Sequence, residues 1–373
     1  MKKNTFKNSP WFHRKIVVIP VCIILLLVFS RILLPTILKY YANKALENIP
    51  GYYGQISNIE VGLFSGKYVI EGLYLNKINA KTQIPFLNFP RGVVAIDVKE
   101  LFDGHIVSDI YLEKPEIIYI LSDHNTPSDG KNEPVLEDWS KALTDLVPIA
   151  INQLDVVDGK FGYVEVNTKP NIDLHIQNIS LTASNLRNTR SVSDNLPSTI
   201  AVTGNTVGGG SLKLDGQMDL IKKLPDLDIT FTIENTNATS LNAFTKHYTG
   251  IDFARGTFQM FGELKISSGQ VEGLVVPSFV NSKFIGKGDK FLSVLWEGFV
   301  GMFKFILKNH KNNSISMKVP FKGDLTNVKT NKISAFFSIF KNAWVKAFYP
   351  IPDKKKDTLQ KSKSRPDKIE KSP

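Results

Sequence analysis

Six histidines, His13, His105, His124, His175, His247 and His310, are the side chains with the widest chemical reach in this chain, as metal ligands or general bases. They are scattered, and no two stand at the i, i+4 spacing that lets a helix hold zinc. Asp155 and Asp158 would suit acid–base work as a carboxylate pair, but Asp158-Gly159 has the composition of a turn. Residues three apart on a strand also point to opposite faces. The triplet Gly208, Gly209, Gly210 could cradle a phosphate, yet no Lys-Ser/Thr follows it and a strand-like run begins at once. The chain has no P-loop, dinucleotide fingerprint or nucleophile elbow. The expectation is therefore no enzyme, with no catalytic residue, no metal site and no cofactor.

What would position any working residue is set first by the stretch Ile16 to Leu38, the most apolar in the chain. As a helix it would extend about 34 Å at 1.5 Å per residue, against a hydrocarbon core of roughly 30 Å. Arg31 lies within it, with a side chain long enough to reach the outer headgroups. A cleaved signal peptide would use the shorter run Ile16 to Phe29. However, apolar residues resume at Ile32, Leu33, Leu34, Ile37 and Leu38, and no clean small-x-small site intervenes. The segment is expected to be a retained anchor. Lys2, Lys3, Lys7, Arg14 and Lys15 precede it without an acid, which leaves the N-terminus cytoplasmic and the bulk translocated.

The net charge of +11 suggests nucleic acid until it is located. Residues 1 to 15 carry +5 and Ile351 to Pro373 carry +4, leaving +2 for the 335 residues between. Nucleic-acid binding is excluded on that ground, because a basic interface needs cations clustered on the folded surface. The single cysteine, Cys22, falls inside the anchor, so no disulfide can form within the chain.

After Gly51 the dominant pattern is apolar alternation with period two, the signature of strands with one greasy and one wet face. Leu212, Leu214, Met218 and Leu220 alternate with Lys213, Asp215, Gln217 and Asp219. Leu227, Ile229, Phe231 and Ile233 do the same with Asp228, Thr230, Thr232 and Glu234, and Phe258, Met260, Leu264 and Ile266 with Gln259, Glu263 and Lys265. Short turns ending in Gly66, Gly104, Gly159, Gly210, Gly256 and Gly269 predict a meander of hairpins. The polar run Ser122 to Pro134 reads as a linker, followed by helical spacing from Leu136 to Ala150. Two further helices are expected at Phe291 to Leu307 and Ile333 to Phe348.

YYANKALENIPGYYGQISNIEVGLFSGKYVIEGLYLNK, Tyr40 to Lys77, resembles the start of AsmA-like proteins, in the branch catalogued as a domain of unknown function. Pro50 to Ile56 is its most specific part. PFLNFP at Pro85 to Pro90, LFDGHIVSDIYLEKPEI at Leu101 to Ile117, LDVVDGKFGYVEV at Leu154 to Val166, Leu241 to Pro277 and NAWVKAFYP at Asn342 to Pro350 extend the likeness in order. The resemblance implies an inner-membrane anchor, a periplasmic body and kinship with bridge-like lipid-transfer proteins, whose curved sheet forms an apolar groove. This body is short beside the long bridges. On that basis the fold is expected to be mainly β: one transmembrane helix, then an elongated antiparallel meander forming a curved groove, with two or three peripheral helices.

The expected divisions are a basic N-terminus (1–15), the transmembrane helix (16–38), an N-terminal β region (39–121), a linker and amphipathic helix (122–150), the main β-groove with C-terminal helices (151–350) and a disordered basic tail (351–373). The lipid-facing candidates are Leu212, Leu214, Met218, Leu227, Ile229, Phe231, Ile233, Phe258, Met260, Leu264 and Ile266. The expected partners are the inner membrane, a phospholipid-like lipid and outer-membrane or envelope proteins. Lipid binding or transfer in envelope maintenance is the leading expectation. A non-catalytic scaffold for envelope assembly is the alternative.

Overall fold

The computed structural model describes residues 10–49, 51–62, 65–97, 107–124, 150–186, 196–219, 226–249, 252–285, 307–309 and 314–326. The predicted helices at 136–150 and 333–348, nearly all of that at 291–307, the Gly104 turn and the tail lie outside them, while Leu307 and Ala150 fall in strands. A helix, α1 (Pro10–Glu47), leads into strands β1 (Tyr52–Gln55), β2 (Asn58–Gly62), β3 (Lys67–Lys77), β4 (Leu87–Ile96), β5 (Val107–Glu113) and β6 (Glu116–Ile120). A single turn, α2 (Leu121–His124), precedes β7 (Ala150–Glu165), β8 (Ile172–Ser184), β9 (Ser198–Thr206), β10 (Ser211–Asp219) and β11 (Asp226–Asn237). A 3-10 turn (Ala238–Leu241) and α3 (Asn242–Thr249) interrupt the meander before β12 (Phe253–Ser267), β13 (Gln270–Phe284), β14 (Leu307–Asn309), β15 (Ser314–Ser316) and β16 (Val319–Asp324).

All sixteen strands belong to one sheet, and its order runs from β1 to β14 without any described pairing that closes the ends. Thirteen strands in hydrogen-bonded succession, at about 4.8 Å each, give a sheet roughly 55–60 Å across. The sheet is mixed rather than purely antiparallel. β7 pairs parallel with both β5 and β6, because the chain leaves β6 by a long crossover and re-enters alongside it in the same direction.

Register traces one face across the whole sheet. Leu75 pairs Leu87, Leu87 pairs Ile117, Ile117 pairs Phe161, Phe161 pairs Ile176 and Ile176 pairs Thr206. Thr206 shares its face of β9 with Val202, which pairs Leu214; Leu214 pairs Phe231, Phe231 pairs Gly262 and Gly262 pairs Val275. The bulges in β7 and β8 do not break this face: a Cβ on Gly204 would meet both Ile176 Cγ2 at 2.8 Å and Ile179 Cγ1 at 3.4 Å. A wet face lies behind it, with ion pairs Lys213–Asp215 (3.0 Å), Lys265–Asp228 (3.7 Å) and Lys322–Glu272 (2.6 Å). Exposed pairs of this kind add little stability. Their main effect is to keep that side hydrated.

Two of the expected turns are bulges instead. At Gly159 the chain takes a positive φ at Asp158, but β7 continues to Glu165, held between β5/β6 on one side and β8 on the other. At Gly256 (φ 143°) β12 likewise continues, with its register against β13 shifting on either side of Arg255. An Asp-Gly or Arg-Gly pair supplies the same left-handed backbone to a bulge as to a hairpin, so composition alone cannot separate them. The reversals at Gly66, Gly210 and Gly269 are hairpin turns as expected. Ser122 and Asp123, assigned to the polar linker, are buried in α2, where the Asp123 carboxylate accepts from Lys81 N (2.9 Å) and Thr82 Oγ1 (2.5 Å).

α1 continues nine residues past Leu38 and passes through Pro20 and Pro35. Packing, not hydropathy, carries it on. Leu46 and Ile49 are buried with Tyr52, Ile56, Ile59, Leu75 and Leu87, and Leu34, Leu38 and Ala42 lie against the same cluster. Asn43 clamps the contact: its Oδ1 accepts from Ile56 N (2.6 Å) and its Nδ2 donates to Ile56 O (3.3 Å). Asn43→Ala is expected to destabilise this foot by about 1–3 kcal/mol, because it leaves a half-buried amide unpaired. Hydrogen exchange at Ile56 in the full chain would show it as lost protection.

Alkali should loosen the same foot. Burial, reinforced by the nearby Tyr119 phenol, pushes Tyr52 from 10.0 to about 12. A raised phenol favours the fold fully below its unfolded value, and that contribution is lost as pH rises from 10 through 12. At 1.36 kcal/mol per unit the loss is about 2–3 kcal/mol. It should appear as phenolate absorbance rising together with loss of the folded circular dichroism signal.

Candidate functional site: an apolar floor

Of the lipid-facing candidates, Leu212, Leu214, Met218, Leu227, Ile229, Phe231, Ile233, Met260, Leu264 and Ile266 are half-buried and share one face. Leu212 pairs Ile233, which pairs Met260; Leu214 pairs Phe231; and Met218 pairs Leu227, which pairs Ile266. Phe258 differs. It is 8 % exposed and packed with Ala238, Phe253, Phe279 and Met317 in a cluster under the 3-10 turn, so it belongs to a core. Ile233 and Met260 touch the edge of that core.

Half-burial in the middle of a sheet is what an uncovered apolar face produces, because in-plane neighbours cover only part of each side chain. Among the described residues no second sheet is stacked on these strands. The helices engage its margins: α1 meets β1 and β2, α3 meets β8, and the 3-10 turn meets β11 and β12.

Three glycines keep the floor low. A Cβ on Gly262 would lie 2.2 Å from the Phe231 ring, one on Gly273 2.2 Å from the Phe321 ring, and one on Gly216 2.4 Å from Ile229 Cγ2. Each neighbour therefore lies flat across a glycine; Phe231 and Ile229 remain half-buried there, whereas Phe321 is buried. Alternation alone could not have revealed these three positions, since a glycine carries no hydropathy signal.

No family model matches the chain, and no curated protein matches it either.

One polar cluster interrupts the greasy face. Glu165, only 6 % exposed, ends β7, and both the Tyr163 and Tyr248 phenols donate to its Oε1. Tyr163 stacks on Tyr119 with centroids 6.1 Å apart. Burial, then the hydrogen bond to Glu165, pushes the Tyr163 phenol well above its ordinary range and keeps it a proton donor. Tyr248 comes from α3, 83 residues away in sequence, which is why sequence spacing could not place it beside Glu165. Among the described residues no group of His, Cys, Asp and Glu could hold a metal ion.

Proposed function

We propose that this is a membrane-anchored protein whose apolar sheet face binds or passes phospholipid-like acyl chains in envelope maintenance. The observation that carries the proposal is the continuity of that face: the cluster gripping the end of α1 and the half-buried floor of β10–β12 lie on the same side of one sheet. An acyl chain leaving a bilayer exposes about 0.8 kcal/mol of apolar surface per CH₂, so its path must offer apolar contact throughout. β10, nine residues long, gives a floor about 30 Å wide, enough for a chain of about 15 Å, half the hydrocarbon core.

The anchor supports the lower end of this path. α1 is the one described helix long and apolar enough to cross a membrane, and its most apolar window is not buried in the protein. Tyr40 and Tyr41, stacked edge-on and exposed, suit the headgroup level. The sheet foot at Leu46 would then begin about 8 Å above it, at 1.5 Å per residue. The basic N-terminus favours a cytoplasmic start and an exported body, and the likeness to AsmA-like proteins suggests the inner membrane and the periplasm.

A phospholipid carrying a photoreactive acyl chain, added to the full chain in membranes, tests the proposal. Cross-links are expected on peptides covering 212–218, 227–233 and 260–266. Labelling confined to α1 would overturn it and leave the envelope scaffold as the better account.

A further inference from the structure

We propose that Glu165 is the receptor for the ammonium of an amine-bearing phospholipid head, held shut in this structure by Tyr248. The inference rests on the floor as a lipid path and names the head that the path selects. Glu165 belongs to the greasy face, since it pairs Ile172 across β8 and stands two residues from Tyr163, which pairs Leu174. No described Lys, Arg or His pairs with it, although it is 94 % removed from solvent. Both of its carboxylate hydrogen bonds fall on Oε1, and Oε2 accepts none among the described residues. A carboxylate so largely removed from water, with no described countercharge beside it, favours a cation.

The surroundings fit an ammonium rather than a phosphate. The Tyr119 and Tyr163 rings stack at an interplanar angle of 10°, and Tyr248 stands opposite with His247 and Phe244 around it. The carboxylate attracts a cation by charge, and the phenol oxygens beside it can accept from an ammonium. An anionic head would meet Glu165 with no basic partner and is repelled.

The two phenols are not equivalent. Tyr163 is fixed on β7, two residues from the acid, and its partner Tyr119 is fixed on β6. Tyr248 rides on α3, a helix of eight residues tethered by Lys246 Nζ to Asp252 Oδ2 (3.0 Å). An ammonium reaching Glu165 displaces Tyr248 and keeps Tyr163. Removing the Tyr248 hydroxyl therefore removes a competitor, whereas removing the Glu165 charge removes the site.

The full chain is purified in mild detergent and equilibrated with mixed micelles of phosphatidylethanolamine and phosphatidylglycerol. Retained lipid is then counted by native mass spectrometry. Wild type should prefer the amine head by about tenfold, the worth of one charged hydrogen bond. Glu165→Gln should abolish the preference without lowering phosphatidylglycerol retention, and Tyr248→Phe should raise it. A preference that survives Glu165→Gln, or one that Tyr248→Phe leaves unchanged or lowers, overturns the proposal. Retention of neither lipid would instead sink the floor as a lipid path. The amine site is then decided by n-butylammonium alone: a saturable change in tyrosine absorbance, absent in Glu165→Gln, supports it, and no change overturns it.

Discussion

Phe231→Glu is expected to reduce retained phospholipid by about tenfold or more while costing the fold only about 1–2 kcal/mol, the scale of losing half the burial of one aromatic side chain. The asymmetry between the two effects is the informative part. Phe231 lies in the middle of the floor, half-buried, with Gly262 beneath its ring and Leu214 beside it. Over Phe231 no second sheet is stacked among the described residues, so a glutamate there keeps its carboxylate in water and the strands tolerate it. An acyl chain crossing the same place would have to desolvate that charge, which costs several kcal/mol even after relaxation. Were the face a closed core, the order would reverse: the variant would unfold, and lipid retention would already be absent in wild type. Thermal unfolding in detergent and extraction of retained lipid from the same preparation measure both quantities.

Gly216→Val should be the most damaging small substitution on the floor, at about 3 kcal/mol from overpacking. Its added atoms would meet the Asp228 carbonyl at 2.7 Å and Ile229 Cα at 2.9 Å, and backbone in the middle of a ladder has nowhere to go. Gly262→Ala is the control. Its three nearest neighbours all belong to the Phe231 ring, the far end of a half-buried side chain that can swing aside, so the loss there should stay below about 1 kcal/mol. Denaturant unfolding of both variants distinguishes a floor with freedom above it from one packed against a lid. Equal, large losses would mean that Phe231 is confined from above.

Much of this floor was legible in sequence because period-two alternation needs no tertiary information. Leu212, Leu214, Met218 and the run Leu227 to Ile233 fall on one face because a strand allows nothing else. What alternation could not supply was direction and depth. The parallel course of β7 depends on where the chain re-enters the sheet, and Asp158-Gly159 looks the same in a bulge as in a turn. Phe258 shares the alternation of Met260, but becomes core because a 3-10 turn settles over it. Hydropathy marks only the apolar part of α1; its continuation past Leu38 depends on Asn43 and Leu46, which are held by Ile56 and the sheet. Glu165 and Tyr248 left no mark, because no local pattern joins a strand end to a helix 83 residues later.

The parallel seam at β7 also bears on how the chain assembles. Every other described strand pair is antiparallel, and consecutive partners such as β9–β10 or β12–β13 zip up through turns of a few residues. β5 and β6 must wait for a strand that begins about 30 residues later, and closing a loop of that length costs about 2 kcal/mol more than closing a four-residue turn. The chain would therefore emerge as two separately zipped halves. The first presents an unpaired β5–β6 edge until β7 arrives. During that interval the nascent protein is at its most vulnerable to mispairing with its neighbours, and lengthening residues 125–149 should slow maturation before it weakens the finished sheet.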